Sequence, residues 1–333
     1  MRRTLLLVLS LVFAAAPAFA QQRPADTLFT VEKYLDYEQV ADAQIAPDGS
    51  QIVYTRRHVN KMDDRWESAL WIVNADGSRN RFLAKGSSPR WSPDGTRIAF
   101  INDGEPSGAQ LFVRYMDAEG ATSQVTRVSE PVGDIRWTPD GKSIAFSMFV
   151  PKANTWRIDM PAAPAGAKWT QAPKYVTDLH YRADRRGFTR TGFTHLFVVP
   201  ADGGTPRALT SGEWNVGARF DALQGGVSYD FSPDGNTLFV VGFNEPNADM
   251  NYRSSHIYSV DVRSGSLRRL TQDGQWNGVA LSPDGRRIAY HGTSAKASYA
   301  AEEIHLMNAD GSGVQRLTSL DRDPGNLIWS RDG

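Results

Sequence analysis

Three features of this 333-residue sequence predict an all-β propeller built of four-stranded blades. A Pro-Asp-Gly phrase returns at a near-constant period, a second hairpin follows it within the period, and no amphipathic helix separates the strands.

The phrase places a small residue before Pro-Asp-Gly and a short apolar run after it. Its prolines are Pro47, Pro93, Pro139, Pro233 and Pro283, and the runs that follow begin at Ile52, Ile98, Ile144, Leu238 and Ile288. Proline presets φ for the second turn position, aspartate suits the third, and glycine takes the place where a side chain would clash. A preceding Ser or Thr can bond back to the backbone. Apolar residues on both sides, as in Ile135-Arg136-Trp137 and Ile144-Ala145-Phe146, make each phrase the bend of a buried hairpin.

The second hairpin reads Leu70-Trp71-Ile72-Val73 before Ala75-Asp76-Gly77, and Leu196-Phe197-Val198-Val199 before Ala201-Asp202-Gly203. Ile257 to Val260 and Ile304 to Met307 repeat it. Most copies end in a basic-x-Leu-Thr-like strand, such as Arg207-Ala208-Leu209-Thr210. Two hairpins per period make one blade. Blade phases fall near residues 47, 93, 139, 186, 233, 283 and 331, with the phase at Asp184-Arg185-Arg186-Gly187 lacking its proline. The expectation is about six complete blades and the start of a seventh over residues 45–333, so that the chain stops in mid-blade. Phe149 to Lys174, with Pro151, Pro161, Pro164 and Pro173, reads as an elaborated loop on one rim.

The N-terminus has a different logic. Arg2-Arg3, an apolar core from Leu5 to Phe13 and the small-x-small site Ala18-Phe19-Ala20 make residues 1–20 a signal peptide, cleaved before Gln21. Residues 21–44 then lead into the propeller. The core is too short to span a bilayer, so no membrane contact is expected after cleavage, and export to the periplasm of a Gram-negative cell follows. The 37 basic and 37 acidic residues carry no basic block, which argues against a nucleic-acid partner. Cysteine is absent, so stability rests on packing.

Catalytic motifs are missing. No serine stands in Gly-x-Ser-x-Gly, and there is no glycine-rich phosphate loop. His195 and His256 share one phase, occupied elsewhere by Ala69, Gln110 and Glu303, which suits a strand-end role. His58, His180 and His291 read as loop residues without metal-ligand spacing, and His305 reads as a packing residue. Neither metal nor cofactor is expected. Loops commonly carry function, so the candidates for substrate contact are Trp156 and Trp169, Arg182, Arg185 and Arg186, and Glu245 and Asp249.

The segment Leu28-Phe29-Thr30-Val31-Glu32-Lys33-Tyr34-Leu35, leading through Val40 to Ile45, resembles the start of exported prolyl oligopeptidase family members. The likeness is to the acylaminoacyl-peptidase and dipeptidyl-peptidase-like branch. Asp178-Leu179-His180-Tyr181-Arg182-Ala183-Asp184 and His195 to Val199 resemble the middle of that branch's propeller. The resemblance implies a propeller capping an α/β-hydrolase domain with a Ser-Asp-His triad, located beyond Gly333, that cleaves short peptides. No position here matches the triad motifs, so this chain alone is expected to be inactive and to gate substrate. The alternative is a non-enzymatic periplasmic interaction propeller resembling TolB, against which only about 26 mature residues before Pro47 count.

Overall fold

The structure, a computed structural model, describes residues 30–333 apart from 118, 154–160, 171–172, 185–186, 218, 221–222, 225–226, 247, 249, 252, 295–299 and 320. The signal peptide expected over residues 1–20 lies outside the described residues. A single helical turn, α1 (Val31–Tyr34), precedes the first sheet. Among the described residues no helix is long and apolar enough to cross a membrane.

The first blade is β1 (Gln39–Ile45), β2 (Gln51–Asn60), β3 (Arg65–Asn74) and β4 (Arg81–Lys85), paired in that order. The second is β5 (Ser87–Trp91), β6 (Arg97–Asp103), β7 (Ala109–Tyr115) and β8 (Thr122–Gln124). The third begins with β9 (Val132–Trp137) and β10 (Ser143–Pro151). A two-stranded ladder, β11 (Arg182–Ala183) with β12 (Gly187–Phe188), interrupts it before β13 (Gly192–Pro200) and β14 (Arg207–Ala208). In the fourth, β15 (Asn215–Val216) and a small ladder, β16 (Arg219–Phe220) with β17 (Leu223–Gln224), precede the main strands. Those are β18 (Tyr229–Phe231), β19 (Thr237–Phe243), β20 (His256–Asp261) and β21 (Leu267–Arg269). The fifth is β22 (Gln275–Leu281), β23 (Arg287–Thr293), β24 (Glu303–Asn308) and β25 (Gln315–Arg316).

The propeller architecture is therefore as the sequence predicts, but the blade count is corrected. Five blade sheets are described, besides the two small ladders, and the opening turn of a sixth blade follows them. The phase near residue 186 is no blade, because β10 pairs with β13 without a break, from Ser143 with Pro200 to Pro151 with Gly192. Residues 152–191 are an insertion between the second and third strands of one blade.

Each Pro-Asp-Gly phrase forms the turn its residues dictate. Gly95 N–H donates to the Ser92 carbonyl at 2.9 Å, and Gly235 N–H to that of Ser232 at 2.8 Å. Asp94 accepts the Thr96 N–H at 3.0 Å and the Ser92 hydroxyl at 2.6 Å, while Ser92 Oγ accepts the Arg97 N–H at 2.9 Å. These donors hold the Asp94 carboxyl down at about 2, and the Ser232 hydroxyl with the Asn236 N–H does the same for Asp234.

The sheets pack face to face through apolar layers. Val53 and Leu70 meet Ile98 and Phe100, and Leu111 and Val113 meet Ile135, Ile144 and Phe146. Leu196 packs with Leu238 and Val240, and Phe239 and Val241 with Ile288 and Tyr290. A threonine finishes four of the blades. Thr126, Thr210, Thr271 and Thr318 accept, through Oγ1, the N–H of Leu111, Leu196, Ile257 and Ile304 at 2.9 to 3.0 Å. The recurrent Leu-Thr ending thus closes the third strand where the short fourth strand runs out.

Thr210 also donates to His195 Nδ1 at 3.2 Å, and His195 Nε2 donates to the Gly212 carbonyl at 2.9 Å. Both partners are buried. Thr210→Val keeps the volume and strands a buried N–H, so it is expected to cost about 1–3 kcal/mol. Urea unfolding checks this, and a loss below about 0.5 kcal/mol, within the surface range, would refute it.

Candidate functional site: the loop rim and the central channel

Antiparallel order fixes which loops share a rim. The β1–β2 and β3–β4 turns and their equivalents lie at one end of every sheet, whereas the β2–β3 and β4–β5 types lie at the other. The second rim carries the elaboration: residues 152–191, the 244–255 loop and the tip at Lys61 to Asp64. The segment entering β1 lies there too, held by Glu38 on Arg56 at 2.6 Å and by Asp36 on Lys61.

Of the sequence candidates, Trp156, Arg185, Arg186 and Asp249 lie outside the described residues. Trp169 is half exposed in the insertion. Arg182 lies 6.0 Å from the Phe188 ring centre, beside Lys174 at 4.2 Å from the same ring. Glu245 is committed to Arg269 at 3.1 Å, and Arg269 also holds Asp273 at 2.5 Å. Glu245 lines a cleft of about 480 Å³ with Phe243, Met250 and His256. No described contact joins Glu245 to Arg182 or Trp169, so these candidates do not assemble into one site.

Opposite ion pairs staple the insertion to its neighbours. Arg190 grips Glu130 through two bonds of 2.6 and 2.7 Å, and Lys152 meets Glu213 at 2.6 Å.

The central channel, about 890 Å³, draws on the innermost strand of every blade. A hydrogen-bonded ring surrounds it. Arg90 pairs with Asp42 at 2.7 Å, and Trp91 Nε1 donates to the Gln44 carbonyl at 3.2 Å. Trp137 Nε1 donates to the Arg90 carbonyl at 3.0 Å, and Arg136 pairs with Asp230 at 3.0 Å. Tyr229 donates to the Asp134 carbonyl at 2.6 Å, and burial drives its phenol pKa far upward. Asp230 accepts the Leu281 N–H at 3.0 Å, and Trp329 Nε1 reaches the Ala280 carbonyl at 3.0 Å. Arg331 meets the Pro47 carbonyl. Asp42, Ser88 and Asp134 all sit at positive φ, 52°, 56° and 46°, where the innermost strands bulge.

One channel residue escaped the sequence reading. His291, expected in a loop, lies on β23, and His58 likewise lies on β2. His291 Nδ1 is 2.5 Å from Glu302 Oε2, and Asn277 donates its amide to the other Glu302 oxygen. Gly278, the cross-strand partner of His291, leaves the imidazole room to lean over the innermost strand. A glycine paired with a strand histidine was the available signal.

Among the described residues no hydrogen bond joins a serine to a histidine, and no cluster of three or more His, Asp or Glu could hold a metal. The arrangement can bind and exclude; it shows no nucleophile.

The comparisons agree with the propeller reading. Residues 186–299 match the family model for the dipeptidyl peptidase IV N-terminal region. The uncharacterized peptidase YuxL of Bacillus subtilis is 31% identical over 216 residues, covering 63% of this chain and 30% of that protein. Dipeptidyl-peptidase 5 of Porphyromonas endodontalis is 25% identical over 311 residues, covering 87% of this chain and 43% of its own length. A solved acylaminoacyl peptidase superposes with a TM-score of 0.63 at 17% identity, covering 85% of this chain and 40% of that one. The chain spans well under half the length of these proteins, and within that span it is a propeller similar to the propeller region of dipeptidyl and acylaminoacyl peptidases.

Proposed function

We propose that this chain is the substrate-gating propeller of an exported serine peptidase of the prolyl oligopeptidase family. The nucleophile would reside in an α/β-hydrolase domain outside these residues, acting on short peptides. The observation that carries the reading is the likeness to a dipeptidyl-peptidase over 87% of the chain, joined to a propeller in which no described serine bonds a histidine. The elaborated rim supports a gating role, since its insertion is clamped at both ends by ion pairs and lined with Trp169, Tyr175 and Tyr181.

The full-length protein is expected to hydrolyse dipeptidyl or N-acyl-aminoacyl chromogenic substrates and to lose activity to a serine-reactive fluorophosphonate. The 333-residue chain alone should show no turnover. Inhibitor-sensitive turnover by the short chain, or none by the full-length protein, would refute the assignment. The export part predicts a mature N-terminus at Gln21, readable by N-terminal sequencing of the periplasmic fraction; an uncleaved product would sink it.

A further inference from the structure

The insertion of residues 152–191 carries more positive charge than its ion pairs consume. From Lys174 to Arg190 the sequence places five cations (Lys174, Arg182, Arg185, Arg186 and Arg190) against two carboxylates, Asp178 and Asp184. Glu130 takes up Arg190, which leaves an excess of two positive charges. Lys174 and Arg182 are both exposed, and neither has an ion-pair partner among the described residues.

Both cations are gathered on one ring. The Lys174 ammonium lies 4.2 Å and the Arg182 guanidinium 6.0 Å from the centre of Phe188, and Tyr181 packs on the same ring at 6.1 Å. An aromatic face attracts a cation, yet two like charges so placed repel across no more than the Debye length of about 10 Å at 0.1 M salt. An anion seated between them would relieve that repulsion. Beside them opens a cleft of about 350 Å³ between residues 173–178 and 188–191, lined by Lys174, Tyr175, Tyr181 and Phe188. The three aromatic rings are each about half exposed, and an exposed apolar patch rimmed by charge marks an interaction surface. Asp178 is the one carboxylate among the described lining residues, and it accepts the Thr177 hydroxyl at 3.4 Å. We propose that this surface docks acidic peptides, with an Asp or Glu side chain seated between Lys174 and Arg182 and its neighbours lying on the exposed rings. Such a peptide supplies both the anion and the apolar contact, and a concave cleft suits a chain better than a flat lipid layer. The proposal rests on the reading of this chain as a gate for peptides and adds the charge of the substrate to it.

The test is isothermal titration calorimetry on the purified chain with two peptides blocked at both ends, so that only side-chain charge differs. They are N-acetyl-Ala-Glu-Phe-Glu-Ala amide and its Gln counterpart. The Glu peptide should bind with a dissociation constant below about 1 mM at low salt, and the Gln peptide at least about tenfold more weakly. Raising the salt to about 0.5 M should weaken the Glu peptide severalfold. Lys174→Glu and Arg182→Glu should each weaken it at least about fivefold. Arg286→Glu, whose side chain is 85% exposed on the opposite rim, changes the net charge equally and should leave affinity within about twofold.

Equal affinity for the Gln peptide, no saturable binding, or an equal loss in Arg286→Glu would overturn the proposal. Binding to phosphatidylglycerol vesicles without binding to the Glu peptide would assign the surface to lipid and overturn it as well. If either charge reversal fails to fold, the contrast between the Glu and Gln peptides and the milder Lys174→Gln still decide. Docking here needs no catalytic domain, so a negative titration leaves the peptidase reading standing, and a full-length protein without turnover would leave a measured docking intact.

Discussion

Gly292→Ala is expected to unfold the fifth blade, whereas Gly278→Ala should leave it folded and displace the channel imidazole. The two glycines lie on neighbouring strands of one sheet, yet their surroundings differ in kind. Gly292 has a φ of 145°, and a Cβ there would overlap the Gln275 carbonyl oxygen. That atom belongs to the paired backbone of β22 and cannot swing away, so the overlap must open the ladder. Backbone strain and clash together should cost about 3 kcal/mol or more. At Gly278 the Cβ meets the edge of the His291 ring instead. A side chain can rotate, at the expense of its bond to Glu302 and its place at the channel wall. The expected cost is about 1–3 kcal/mol, with a change in the NMR signals of the His291 ring as it leaves Glu302. Urea unfolding of both variants, with the NMR spectrum of the His291 ring in Gly278→Ala, separates them. Equal destabilisation would show that the imidazole is as rigidly held as the backbone.

The turns were legible in the sequence because each position of Pro-Asp-Gly answers a separate local demand. The Asp94 and Asp234 carboxylates and the positive φ of Gly95 and Gly235 occur as those residues require. Blade number was less legible, because Pro-Asp-Gly counts only first hairpins. The 94-residue interval from Pro139 to Pro233 looks like two periods but holds one blade and a long insertion. Counting second hairpins, such as Leu196 to Gly203, gives one copy in that interval and therefore five blades. The candidate site was legible only in part. Exposed loop residues such as Trp169 and Arg182 stand out by composition, but nothing local reveals that Glu245 is consumed by Arg269, 24 residues away. The channel was invisible for the same reason. Its wall is assembled from strands about 45 to 95 residues apart in sequence, and His291 enters it only through a missing side chain on the neighbouring strand.

Acidification should destabilise the protein in two stages, the first traceable to three packed histidines. Burial lowers the pKa of His195, His256 and His305, in His256 with help from the Arg269 guanidinium. Above the unfolded value of about 6.5 both folded and unfolded chains hold these rings neutral, and stability is full. As pH falls below that value the unfolded chain takes up protons that the folded rings resist. Stability is then lost progressively until pH passes the lowered folded values. A second loss follows between about 4 and 2 as Asp94 and Asp234 protonate. His305 is the sharpest instance. Its ring stacks on Tyr290 at 5.3 Å and meets the edge of Trp276 at 5.2 Å, and neither ring nitrogen has a hydrogen bond. Glu303, at 3.7 Å, lies beyond hydrogen-bond reach. His305→Phe should therefore preserve the stack, raise stability at pH 7 by up to about 1 kcal/mol, and flatten the fall in urea midpoint between pH 6.5 and 5. An unchanged slope in that variant would place the first acid stage on His195 and His256, whose rings, unlike that of His305, hydrogen-bond to main-chain carbonyls.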